Sequence, residues 1–196
     1  MNTTFGSPNY VPSTLSALLR RLANDNRTQD DERIVGENGL VAIILGITAL
    51  DAFANLFFRA LADEVSFQHI RDKLIKDLEK PVPLSAKLEK WCRRAFGKTP
   101  DHTDSRWKSF IALRNWRNEL VHFKSSPHAL AGSQTVAISG LADIAALTRI
   151  RRSTPQDVLG TMCGIEEMIG ELRGYGETEK SGFVHLWIGV IGWRSK

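Results

Sequence analysis

Residues 34–63 read IVGENGLVAIILGITALDAFANLFFRALAD. Leu40, Ile43, Ile44, Ile47, Leu50, Ala54, Phe58 and Leu61 recur at the three-and-four spacing that puts them on one face of a helix. Phe53, Leu56 and Phe57 carry that face well round the cylinder, so this helix is expected to lie deep. Upstream, residues 1–12 are polar, and Ser13 is placed to cap a short amphipathic helix carrying Leu15, Leu18, Leu19 and Leu22. A polar break at Asn24–Arg33 follows. Downstream, helices are expected over Phe67–Glu79, stopped by Pro81 and Pro83, and over Ser85–Phe96, stopped by Gly97 and Pro100. Another runs from Asp104 to Lys124. Residues 125–153 are mixed, with a short strand at Thr135–Ile138. Thr154-Pro155 then supplies an N-cap and a first-turn proline for a last helix to Arg173. The expected fold is all-α, an up-and-down bundle of four to five core helices. Residues 1–30 form a partly helical leader, 31–175 the helical domain with 125–153 inserted, and 176–196 a hydrophobic tail.

The composition narrows the class. With 196 residues, 42% of them apolar and 24% charged, the chain has enough apolar material for one real core and is not disordered throughout. Cys92 and Cys163 are too few for a disulfide framework, and no Cys/His spacing suggests zinc, so neither metal nor cofactor is expected and a reducing cytoplasm is the natural home. A net charge of +4 permits an anionic partner without demanding one. The apolar run Gly182–Trp193 is 12 residues long and includes His185. That is short of the roughly 20 residues a membrane helix needs, so it reads as a buried terminal segment or an interface, with no membrane.

The chemistry concentrates in residues 104–124, DSRWKSFIALRNWRNELVHFK. On a helical wheel Trp107, Phe110, Ile111 and Val121 share one arc. Arg114 falls at its centre, and Arg117, Asn118 and His122 flank it. Leu113, Trp116 and Leu120 make a second apolar patch. Polar groups on an apolar face are costly unless they are paired or face a wet cleft. A helix apolar on two sides packs on its own bundle and is suited to a partner chain as well. Asp51 is similarly placed inside the stripe of the 34–63 helix and calls for Arg114 or Arg117 as its counter-ion, which in its plainest form is a structural ion pair.

Arg117-Asn118-Glu119-Leu120-Val121-His122 resembles the R-x4–6-H signature of the HEPN superfamily, and LRNWRNELVHFK (113–124) is similar to the form of that motif seen in prokaryotic members. The helix around Asp51 is similar to the family's first core helix. The resemblance spans residues 34–124 and the last helix; the leader, the 125–153 segment and the tail are not explained by it. It implies a compact helical bundle that forms a homodimer with a composite cleft, and a metal-independent endoribonuclease acting as a toxin, with an antitoxin protein as partner, or as an antiviral defence effector. In that reading His122 is the general base or acid for the ribose 2′-hydroxyl, and Arg117 holds the scissile phosphate. Asn118 orients His122 or donates to phosphate, and Arg114 and Asp51 support them. Arg149, Arg151 and Arg152 are candidates to track an RNA backbone, although such a run is more often a solvated face. The rival reading is a HEPN-like module without activity that dimerises or binds nucleic acid or a protein partner. His69, His102, His128 and His185 stand alone, and the tryptophans read as core.

Overall fold

The computed structural model describes residues 10–121 and 153–176. Among these residues the chain forms six α-helices and one 3-10 helix, with no strand: α1 (Tyr10–Arg27), α2 (Glu32–Asp63), the 3-10 helix (Val65–Ile70), α3 (Arg71–Leu78), α4 (Leu84–Phe96), α5 (Ser105–Val121) and α6 (Pro155–Arg173). The fold is all-α, as the periodicity predicts. The short strand expected at Thr135–Ile138 lies outside the described residues.

Local chemistry sets most of the boundaries. Asp31 caps α2, its Oδ1 accepting from the Arg33 amide at 2.8 Å. Pro81 and Pro83 separate α3 from α4, and Gly97, at φ 70°, closes α4 in the left-handed conformation that glycine adopts without strain. α6 opens on a reciprocal capping box: the Asp157 amide donates to Thr154 Oγ1 at 3.2 Å, while the Thr154 amide donates to Asp157 Oδ2 at 2.9 Å. Thr154→Ala is therefore expected to lower stability by about 1 kcal/mol. For a chain of this size that is a fall in Tm of roughly 2–4 °C by calorimetry. An unchanged Tm means that Pro155 and packing hold this end unaided.

α2 is the axis of the bundle. Its stripe of small residues lets α6 approach closely. A Cβ on Gly39 would stand 2.1 Å from the Ser153 carbonyl oxygen, and one on Gly46 would stand 2.3 Å from Val158 Cγ1. At the other end Arg173 holds Glu64 at 2.7 Å. These pairings in rising order make α2 and α6 parallel. α4 also runs parallel to α2, from Lys87 beside Asp51 to Phe96 beside Phe57 and Phe58. α5 is antiparallel to α6, with Arg106 against Glu171. The bundle is thus up-and-down except between α2 and α4, where the 3-10 helix and α3 carry the chain back.

The core is one cluster. Ile43, Leu50, Phe53, Phe58 and Leu61 of α2 meet Leu88 and Trp91 of α4, Phe110 of α5 and Leu159 of α6, all fully or nearly fully buried. Phe58 sits edge-on to Trp91, ring centroids 5.2 Å apart. α1, expected as part of a leader, adds Leu19 and Ala23 to this cluster and is tied to α6 by Gln156 Nε2 donating to the Ala23 carbonyl. It starts at Tyr10, so Ser13 lies inside the helix rather than at its cap. Ile44 departs from the predicted face and is exposed, as is Val41. α2 is long and apolar enough to cross a membrane by length and composition, and half of its most apolar stretch is buried in the bundle.

Between α3 and α4, Asp77 accepts from the Arg94 guanidinium and pairs with Lys90 at 3.1 Å. Burial opposes the Asp77 charge, but Lys90 and Arg94 outweigh it and hold the carboxyl below its usual range.

Candidate functional site

The informative helix is α5. Its core side is apolar over the first half, where Trp107 and Phe110 are buried, and becomes cationic over the second, where Arg114 and Arg117 lie half-buried on the same side. The predicted arc is present, except that Ile111 is only partly buried and Val121 is 46% exposed. Arg114 Nη1 donates to Ser85 Oγ in the first turn of α4 at 2.7 Å, and its Nη2 donates to Asn115 Oδ1 at 3.1 Å. Arg117 Nη1 donates to Asn118 Oδ1 at 3.2 Å. The Nε atoms of both arginines are enclosed without a hydrogen-bond partner. Among the described residues, neither guanidinium has a carboxylate within salt-bridge distance. Arg106, by contrast, is clamped by Asp104 and Glu171 at 2.7 and 2.8 Å.

Asp51 does not take the expected counter-ion. Its partner is Lys87 of α4, with Nζ at 2.6 Å from Asp51 Oδ1 and 2.9 Å from Asn55 Oδ1. The Lys87 ammonium also lies 5.7 Å from the centre of the Trp91 ring. The lysine stem is almost wholly buried, while the aspartate side chain is 42% exposed, so the pair ties α4 to the flank of α2. The wheel of α2 shows that Asp51 needs a cation but not which neighbouring helix supplies it. The signal in sequence is Lys87 on the same helix face as Leu84, Leu88 and Trp91.

The second apolar patch is covered in part by the chain's own core. Leu113 is buried in the common core, and Trp116 and Leu120 pack partly against it. Between this flank of α5 and the start of α6 lies a cavity of about 340 Å³, lined by Ser109, Ala112, Leu113, Trp116, Ser153, Asp157, Val158 and Thr161.

His122 follows Val121 immediately and lies outside the described residues, as do Arg149, Arg151, Arg152, His128 and His185. His102 stacks on Trp107, with centroids 5.2 Å apart, and His69 is exposed on the 3-10 helix. Cys92 and Cys163 are buried, and burial pushes the Cys92 thiol up to about 12, which makes it a poor nucleophile. Among the described residues no three His, Cys, Asp or Glu side chains gather where they could share a metal ion.

Glu166 of α6 is not among the site residues expected from sequence. It is fully buried, and neither carboxyl oxygen has a hydrogen-bond partner among the described residues. Burial, with Glu167 adding repulsion, holds its carboxyl well above the ordinary value of 4.5, so it is protonated in the fold over a range where an exposed glutamate is charged. The signal was available: Glu166 falls between Met162 and Ile169 in the apolar stripe of α6, as Asp51 does in α2.

Comparison of the chain with protein-family models, with curated proteins and with solved structures finds no match.

Proposed function

We propose that this protein is a metal-independent endoribonuclease of HEPN type, a cytoplasmic toxin or antiviral defence effector, with Arg117, Asn118 and His122 as its reacting groups. The observation that carries the reading is the pair of half-buried guanidiniums on α5, Arg114 and Arg117, which have no carboxylate partner among the described residues. A buried or half-buried cation lacking an internal counter-ion is suited to an external anion, and an arginine fork matches phosphate. His122 follows Arg117 by five residues in sequence and supplies an imidazole, the side chain most often used as a general base or acid.

The chemistry is balanced within the RNA. A base, assigned to His122, removes the proton of a ribose 2′-hydroxyl, and the oxygen attacks the adjacent phosphorus. The bond to the 5′-oxygen breaks, that oxygen takes up a proton, and the products are a 2′,3′-cyclic phosphate and a 5′-hydroxyl. Arg117 holds the phosphate and the charge that develops on it. A homodimer with a composite cleft and an antitoxin partner belong to the same proposal and rest on the motif resemblance. A module that binds RNA without cutting it is the second reading, since unneutralised guanidiniums serve binding as well as catalysis.

Cleavage of labelled RNA in EDTA separates the two. The full-length wild type is expected to cut tRNA, rRNA or mRNA substrates. His122→Ala should lower the rate by about 10²–10⁴-fold and Arg117→Ala by about 10²–10³-fold. Cleavage at the wild-type rate by either variant sinks the assignment. A folded wild type that binds RNA without cutting any of the three substrates makes it the binding module.

A further inference from the structure

Residues 114–118 read Arg-Asn-Trp-Arg-Asn, the same dipeptide twice at a spacing of three. The structure repeats the local geometry with the sequence: each asparagine oxygen accepts from the arginine just before it, at 3.1 Å for Arg114 and Asn115 and 3.2 Å for Arg117 and Asn118. We infer that these two Arg-Asn units grip two successive phosphates of one RNA strand, so that the ligand is a single strand carrying at least two phosphodiesters. The choice of RNA as the ligand rests on the ribonuclease reading above.

Three observations converge on it. The first is spacing. Residues three apart on a helix advance about 4.5 Å along its axis and hold their Cβ atoms about 5–6 Å apart. Charges along one nucleic-acid strand recur every 3.4 Å or so of axial rise, and the phosphates, which lie off that axis, are farther apart than the rise. The second is charge. Two guanidiniums on neighbouring turns repel one another, and neither is paired with a carboxylate among the described residues. An anion bridging or flanking them relieves that repulsion. The third is preorganisation. Arg114 is fixed from a second helix by Ser85 Oγ at 2.7 Å, and both arginines have their Nε atoms enclosed, which is not the posture of a solvated surface arginine. Each asparagine spends its oxygen on its arginine and keeps its amide N–H donors for a phosphate oxygen. Arg117 serves the phosphate that reacts, and Arg114, one turn back, serves its neighbour. Ser85 is a positioning residue for Arg114.

The test is fluorescence anisotropy of a labelled single-stranded RNA with full-length protein in EDTA, on a His122→Ala background so that nothing is cut, across a salt series. Arg114→Gln is expected to weaken binding several-fold, equally for unrelated sequences, and to lower the slope of log affinity against log salt by about 0.7, the value for one phosphate contact on a single strand. Arg117→Gln should do the same, and the double variant should lose twice as much slope. Arg114→Lys should keep the slope and lose affinity. Ser85→Ala should weaken binding, and Ser85→Thr should restore it. On a dinucleotide with a single phosphodiester, Arg114→Gln should match its parent. If the slope responds to Arg117→Gln but not to Arg114→Gln, the two-phosphate grip is wrong and the ribonuclease reading stands. If neither arginine moves the slope while His122→Ala still abolishes cleavage, the grip is likewise wrong. If both lower it and the wild type never cuts, the grip stands and the ribonuclease reading falls.

Discussion

Gly39→Ala is expected to destabilise the protein by about 3 kcal/mol, near the upper end for overpacking. The sign is diagnostic, because glycine to alanine inside a helix ordinarily stabilises by up to about 1 kcal/mol. Here the added Cβ meets a backbone atom, the Ser153 carbonyl oxygen, at 2.1 Å. No side chain can turn aside, so the start of α6 must retreat by roughly 1 Å to reach ordinary contact. That movement loosens Val158 against Gly46 and strains the Thr154–Asp157 cap. Gly46→Ala provides the contrast. Its obstacle is Val158 Cγ1 at 2.3 Å, and a valine in a helix has essentially one rotamer, so the single variant is also destabilised. Removing the obstacle in Gly46→Ala/Val158→Ala should recover part of the loss, a coupling that urea denaturation of the four proteins measures directly. Gly39→Ala as stable as the wild type, or more so, would show that α2 and α6 do not cross where the structure places them.

The second large effect concerns Glu166. Glu166→Met, which keeps the volume and discards the unpartnered carboxyl, is expected to raise stability at neutral pH by about 1–3 kcal/mol. The gain should grow with pH. In the fold the carboxyl keeps its proton well above 4.5, whereas the unfolded chain loses it near that value. Unfolding therefore releases a proton, and linkage makes wild-type stability fall as pH rises from about 4.5 towards the raised folded value. Among the described residues no cation pairs with this group, and the charged neighbour that acts on it is Glu167 of the same helix, whose repulsion works in the same direction. Urea midpoints of wild type and Glu166→Met, followed from pH 4.5 to 8, should diverge steadily. Parallel curves mean that the carboxyl is solvated or paired in solution. Glu166→Gln separates charge from polarity: it abolishes the pH dependence but leaves a buried amide to satisfy, so its gain should be smaller.

The helices were legible because their causes are local. The three-and-four spacing of α2, Thr154-Pro155 at the start of α6, and the prolines and glycine that bound α4 act within a few residues of themselves. The role of α1 in the core is not local and does not show in its own sequence. Its own sequence shows one modest apolar stripe, and only the groove between α2 and α6 makes Leu19 and Ala23 core residues. The arc of α5 that carries Arg114 and Arg117 was also readable, since a wheel needs only the helix.

Partners across the bundle were not readable. A wheel shows that Asp51 sits where a charge must be compensated. Whether Lys87, Arg114 or Arg117 reaches it depends on how α4 and α5 lie over α2, which no spacing within α2 encodes. Of the second apolar flank of α5, the common core buries Leu113 and leaves Trp116 and Leu120 half-buried, a division that the wheel does not show. Sequence by itself determined that the chain is helical, roughly where its longer helices lie, and which faces are apolar, because those follow from backbone hydrogen bonding and the 3.6-residue period. The start of α1 and the split of Phe67–Glu79 into a 3-10 helix and α3 did not follow from it. Tertiary structure alone decided that α2 and α6 run parallel through glycine contacts, that Ser85 holds Arg114, and that Glu166 has no hydrogen-bond partner among the described residues. Those outcomes depend on packing between segments far apart in the chain, where a difference of a few ångströms decides which groups meet.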